Sequence, residues 1–164
     1  MKQKKTDPIV HQILREIPYG LYVVGLRGRN DGDFNALVVS WLTQCSFDPP
    51  LIMIALRKGT RSYELIEPGA VFSVNLIDQS DRQLAREMVK PSRRVGDKIG
   101  RVGHVQGKTG APILREAFGY VECEVREITE PGDHALVIGE VIRAGKQEEG
   151  HQLMCSDLRW HYAG

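Results

Sequence analysis

Residues 38–50 read VVSWLTQCSFDPP. The run carries enough apolar residues for a buried strand, yet Ser40, Thr43, Gln44 and Ser46 interrupt it and Pro49-Pro50 stops it. Strand alternation puts Ser40, Leu42, Gln44 and Ser46 on one face and Val39, Trp41, Thr43 and Cys45 on the other. Neither face is cleanly apolar. Two readings stay open: the polar groups meet a bound polar ligand, or they alternate outward on a half-wet strand. The paired prolines restrain two successive φ angles and give the segment a rigid exit in both cases.

Working outward, residues 21–27 (LYVVGLR) are strand-like, and the Asp-Gly pair in RNDGD predicts a turn. The next strand, from about residue 35 to residue 45, then pairs back as a hairpin. Residues 51–56 (LIMIAL) form a continuous apolar run that fits a strand buried on both faces, and residues 71–77 form another strand. Two long strands follow at about 120–128 and 135–142, joined by the turn TEPGDH, and the tail at 153–162 predicts one or two more short strands. The helices are short. Asp7 and Pro8 open one over residues 8–16, Thr60 caps one over 60–67, and Ser80 caps one over 80–89. Residues 90–112 are polar and glycine-rich and read as an excursion loop.

The 164 residues suit one domain, residues 1–164, large enough to bury a core without disulfides or metals. Hydrophobic content of 41%, charged content of 26% and a net charge of +1 give no reason to expect nucleic acid or an anionic membrane as partner. The basic start, MKQKK, reads as a solvated end. There is no apolar run near the ~20 residues of a membrane span and no secretion signal. Cys45, Cys123 and Cys155 are odd in number, widely spaced and outside any CxxC, which argues against a disulfide framework or structural zinc and for a reducing, cytoplasmic compartment. Many strands, tight turns and no strand–helix alternation predict a closed or nearly closed barrel, which removes exposed edges.

Four local patterns are incomplete. GHVQGKTG has three residues between Gly103 and Gly107 where a P-loop needs four. DGDFN lacks the glycine and glutamate of a calcium loop, and Ala36 and Leu42 stand in those places. His151 and Cys155 offer two metal ligands without a third, so no metal site is expected. Ser40, His134 and Asp133 lack the GxSxG elbow of a hydrolase.

Four segments in order carry a resemblance. Asn35-Ala36 leads into VVSWLTQCSFDPPLIMIAL, then come KGTRSYELI, GAVFSVNLI and GDHALVIGEVI. Together they resemble the flavin reductase-like family, the FMN-binding split barrels, over about residues 18–143, and YGLYVVG is similar to its ferric reductase and small electron-transfer flavoprotein branch. The resemblance implies a mainly β fold, a six-stranded antiparallel split β-barrel of Greek-key type with a few short helices. It also implies a homodimer with one FMN per subunit near the interface.

It carries cofactor binding onto Asn35, Ser40, Trp41, Leu42, Thr43, Gln44, Cys45, Ser46, Lys58, Thr60, Arg61 and Ser62. In that reading Lys58, Thr60, Arg61 and Ser62 meet the phosphate, Ser46 reaches ribityl or phosphate oxygens, and the backbone at 40–45 lines the ring edge. For Trp41, core or dimer packing competes with cofactor contact. His134 of the Gly-Asp-His turn is the expected catalytic contact to the nicotinamide donor or substrate, with a turn-holding histidine as the alternative. The implied activity is NAD(P)H:flavin or ferric reduction, with NADH or NADPH as donor and FAD as the alternative flavin. A redox protein is a further candidate acceptor. The rival reading is an electron-transfer flavoprotein reduced by a protein partner, with little NAD(P)H activity of its own.

Overall fold

The computed structural model describes residues 7–28, 30, 32–90 and 98–160. The fold is mainly β, built on one antiparallel sheet. Its strands are β1 (Tyr22–Arg27), β2 (Phe34–Val39), β3 (Leu42–Phe47), β4 (Pro50–Arg57), β5 (Val71–Leu76), β8 (Gly119–Thr129) and β9 (His134–Lys146), in the order β2-β1-β5-β8-β9-β4-β3. Two more, β6 (His104–Gln106) and β7 (Pro112–Leu114), pair separately. The large sheet thus has seven strands and is open, where six in a barrel were expected.

The extra strand has a local cause. The single strand expected over 35–45 breaks at Ser40–Trp41. β2 stays with β1 in the expected hairpin, Arg27 opposite Phe34 and Tyr22 opposite Val39. β3 departs to pair with β4, Leu42 opposite Ile54. The sheet's two edge strands are therefore joined by two residues, and Ala55 N donates to Trp41 O at 3.1 Å across that junction. A sheet whose first and last strands are so joined must curl on itself. Its interior confirms the curl: Val24, Leu26, Val39, Ile54, Leu56, Phe72, Val74, Cys123, Val125 and Val137, from six strands, form one buried cluster.

The opposite face packs Leu21, Val23, Ile77, Ala85, Met88, Leu114, Leu153 and Leu158. It is covered by helices α3 (Arg82–Met88) and α4 (Cys155–Leu158) and by the segment at 98–114. β4 was expected to be buried on both faces. Ile54 and Leu56 are buried, but Met53 and Ala55 are only half-buried, because this side of β4 borders β3 and a cleft. β3 itself is an edge strand with Thr43, Gln44 and Cys45 exposed, and a bulge between Gln44 and Ser46 interrupts its pairing. The polar interruptions there lie along an exposed edge of the sheet. Asp48-Pro49 is cis and forms the β3–β4 turn, with Phe47 opposite Pro50.

Helix α1 (Pro8–Arg15) starts as expected, with the Asp7 carboxylate accepting from Ile9 N at 3.0 Å. Helix α2 (Arg61–Leu65) is capped by Thr60, whose hydroxyl accepts from Tyr63 N at 3.3 Å. Ser80 does not cap α3. Its amide and hydroxyl donate to Asp78 Oδ1 at 2.9 and 2.8 Å, and Asp81 stands at the cap position instead. The tail pairs only through bridges, Gly20 with Met154 and Asp78 with Gln152, before α4, and residues 161–162 of the expected tail strands lie outside the described residues.

Of the excursion loop expected over 90–112, residues 91–97 lie outside the described residues, and the rest, with the adjoining residues to 114, is ordered by buried acceptors. Asn75 Oδ1 takes Leu114 N at 2.9 Å, and Glu122 Oε2 takes the amide and hydroxyl of Thr109 at 2.8 and 2.6 Å. A carboxylate sits where a P-loop would hold phosphate, so the GKTG turn is structural.

Asp78 is an acid-sensitive tie. His151 N donates to its Oδ2 at 2.6 Å, and with the Ser80 bonds this lowers its pKa to about 2. A carboxyl whose folded pKa lies below its unfolded value of about 4 contributes stability above that value and loses it as pH falls toward 2. Asp78→Asn is expected to lower the melting temperature at pH 7 and to narrow the gap from wild type between pH 4 and pH 2, read by calorimetry across that range.

Candidate functional site

A cleft of about 380 Å³ opens beside the β2–β3 junction. That volume lies within the range of small-molecule sites. Asn35, Ser40, Trp41, Thr60, Arg61 and Ser62 line it, so two separate stretches of sequence meet there. They meet because β2 lies against α2: buried Asn35 Nδ2 donates to Ser62 Oγ at 2.8 Å. Arg57 and Gly59 line the same end. Gly59 has φ +73°, a left-handed turn between β4 and α2 that favours glycine. Leu37, Val39, Met88 and Trp160 supply apolar wall, and Lys98 and Cys155 lie among them.

Leu42, Thr43, Gln44, Cys45, Ser46 and Lys58 lie outside this lining. The first five follow β3 to its exposed edge. Lys58 Nζ instead meets Glu130 at 3.0 Å, and Tyr63 Oη donates to the other oxygen of that carboxylate at 2.6 Å. The tyrosine bond first and the lysine second hold Glu130 below the usual carboxylate range. Arg61 Nη2 contacts Asp33 Oδ1 at 2.5 Å, and its Nη1 lies 3.7 Å from Glu64, so carboxylates flank the guanidinium.

His134 opens β9 opposite Arg57 and is nearly buried. Its ring stacks at a tilt on Trp41, centroids 4.8 Å apart. Its Nδ1–H donates to Asp133 Oδ1 at 2.8 Å and holds that carboxyl below its ordinary value. His134 thus reaches the cleft through Trp41. Sequence reasoning missed two residues of the cleft lining: Arg57, which ends an apolar strand just before the KGT turn, and Lys98, which falls in the unpatterned loop expected over 90–112. All three cysteines are free, Cys45 exposed and the others buried. Among the described residues no cluster of three or more His, Cys, Asp or Glu could hold a metal, and no helix is long and apolar enough to cross a membrane.

The chain is similar to known proteins over most of its length. The NADH-dependent FAD reductase of Streptomyces globisporus is 28% identical over 137 residues, 82% of this chain and 74% of that one. The solved NADH:FAD oxidoreductase of Streptomyces globisporus, in complex with NAD and FAD fragments, is 25% identical and matches with TM-score 0.79 over 92% of this chain and 91% of that one. The FMN-binding protein of Thermus thermophilus, solved with 1-cyclohex-2-enone, is 27% identical with TM-score 0.77 over 90% of this chain and 81% of that one. Against the first curated relatives it matches, the chain spans only about a fifth to a third of their length. The model of the flavin reductase like domain matches residues 14–162, and the chain belongs to that family.

Proposed function

We propose that this chain is an FMN-dependent oxidoreductase that takes hydride from NADH or NADPH and passes electrons to free flavin or ferric iron. The observation that carries the reading is the cleft's division of chemistry in a flavin reductase chain. Arg57, Thr60, Arg61 and Ser62 gather cations and hydroxyls where β4 passes into α2, and Leu37, Val39, Met88 and Trp160 give the same cleft apolar wall. A phosphate joined through a polyhydroxyl chain to a flat ring has the same division. FMN supplies hydride acceptance and onward electron transfer when bound. Arg57 and Arg61 would hold its phosphate, and the Asn35–Ser62 bond fixes the hydroxyl beside them. Asp133 fixes the His134 ring, which braces Trp41 at the wall where a nicotinamide would be oriented. FAD is the alternative flavin.

The test is a spectrum of the purified protein with added FMN and stepwise NADH and NADPH. A colourless protein that neither binds flavin nor oxidises either donor removes the reading. His134→Ala is expected to lower NAD(P)H oxidation by about tenfold or more, within the range of lost positioning, with FMN retained by absorbance. The likeness to an FMN-binding protein favours one rival, an electron-transfer flavoprotein reduced by a protein partner. That rival predicts bound FMN and a negligible NAD(P)H rate.

The working unit in this reading is a homodimer with the site near its interface. Ile9, Ile13 and Ile17 are 51%, 59% and 44% exposed and Phe47 is 91% exposed, which supports a covered surface.

A further inference from the structure

Lys98 is 5% exposed, the most deeply buried cation among the described residues. It lines the same cleft as Arg61, in the apolar wall of Met88, Val89, Cys155 and Trp160. Its Nζ donates to Met88 O at 2.8 Å and Lys90 O at 3.0 Å, carbonyls at the last residue of α3 and just past it. An ammonium has three protons to donate, and among the described residues no carboxylate pairs with this one. Among the described residues its partners are these two carbonyl dipoles, and burying an ion in such company is unfavourable. Burial accordingly pushes the Lys98 pKa down to about 8. A negative charge brought into the cleft would relieve that penalty, and the low-dielectric wall would strengthen the attraction.

We propose that the Lys98 ammonium stabilises negative charge on the ring of a bound flavin, so that the cleft holds the reduced cofactor more tightly than the oxidised one. This rests on the flavin-binding reading above. Hydride brings two electrons and one proton, leaves the donor as oxidised NAD(P)⁺, and gives a neutral ring one net negative charge. Arg57 and Arg61 then serve the permanently charged phosphate end. Lys98 serves the end whose charge changes with oxidation state. The cation raises the midpoint potential without being required to capture the oxidised flavin.

The experiment compares wild type, Lys98→Met, Lys98→Gln and Lys98→Arg at pH 7. FMN affinity is read by fluorescence quenching and the two-electron potential by equilibration with indicator dyes. Met and Gln are expected to keep oxidised-FMN affinity within about threefold and to lose about tenfold in reduced-over-oxidised preference, which lowers the potential by about 30 mV for two electrons. Arg is expected to restore most of it. Folding is checked by circular dichroism, and Gln keeps a donor for one α3 carbonyl should Met fail to fold. If Gln binds FMN and keeps the wild-type potential, Lys98 only clamps α3 and the proposal is overturned. If wild type binds no flavin, the functional reading falls and this proposal falls with it.

Discussion

Arg61→Glu is expected to weaken FMN binding about a hundredfold, or about 2.7 kcal/mol, while riboflavin, which lacks the phosphate, is held nearly as before. Arg61 lines the cleft next to Thr60 and Ser62, with Asp33 at 2.5 Å and Glu64 at 3.7 Å. A glutamate there would place a third carboxylate where the proposed reading puts the phosphate dianion. Unit charges 4 Å apart interact by about 4 kcal/mol at the effective dielectric of a protein surface. The side chain's 42% exposure and ordinary salt reduce that figure, hence the smaller expectation. Fluorescence titration with both flavins checks it. Equal weakening for FMN and riboflavin would show that Arg61 does not read the phosphate.

The second large effect is on the fold. Gly25 lies mid-strand in β1, between Ala36 of β2 and Ser73 of β5. A Cβ there would lie 2.4 Å from Pro112 O and 2.7 Å from Ser73 Oγ. Neither neighbour can yield easily, because Ser73 Oγ donates to that same Pro112 carbonyl at 2.5 Å inside the core. Gly25→Ala is therefore expected to destabilise the protein by about 2–3 kcal/mol, typical of overpacking, and to lower the melting temperature by about 5–10 °C. Urea unfolding should show a lower midpoint with an unchanged slope. A melting temperature within a degree of wild type would mean that the 98–114 segment can lift off β1 freely.

Local chemistry made much of the fold legible. The Asp-Gly turn announces the β1–β2 hairpin, Thr60 announces α2, and the TEPGDH turn separates two long strands. Asn35, Ser40, Trp41 and Thr60–Ser62, drawn from two of the quoted segments, line one cleft. What stayed hidden depends on distant partners. Apolar and polar residues mix in the same way along a core strand facing a ligand and along an edge strand facing water. Residues 42–46 therefore could not reveal that β3 crosses to the far side of the sheet. The 98–114 segment has no pattern of its own and acquires structure because Asn75 and Glu122, remote in sequence, accept its backbone donors. Lys98 reads as a surface lysine until the end of α3 is folded against it.

The two-residue splice at Ser40 and Trp41 makes wall and lodging one object. A molecule seated against these side chains grips both rims of the rolled sheet at once, and the rims cannot part without loosening it. Occupancy and breathing of the roll are then the same equilibrium viewed from two sides, so whatever fills the groove also fastens the seam.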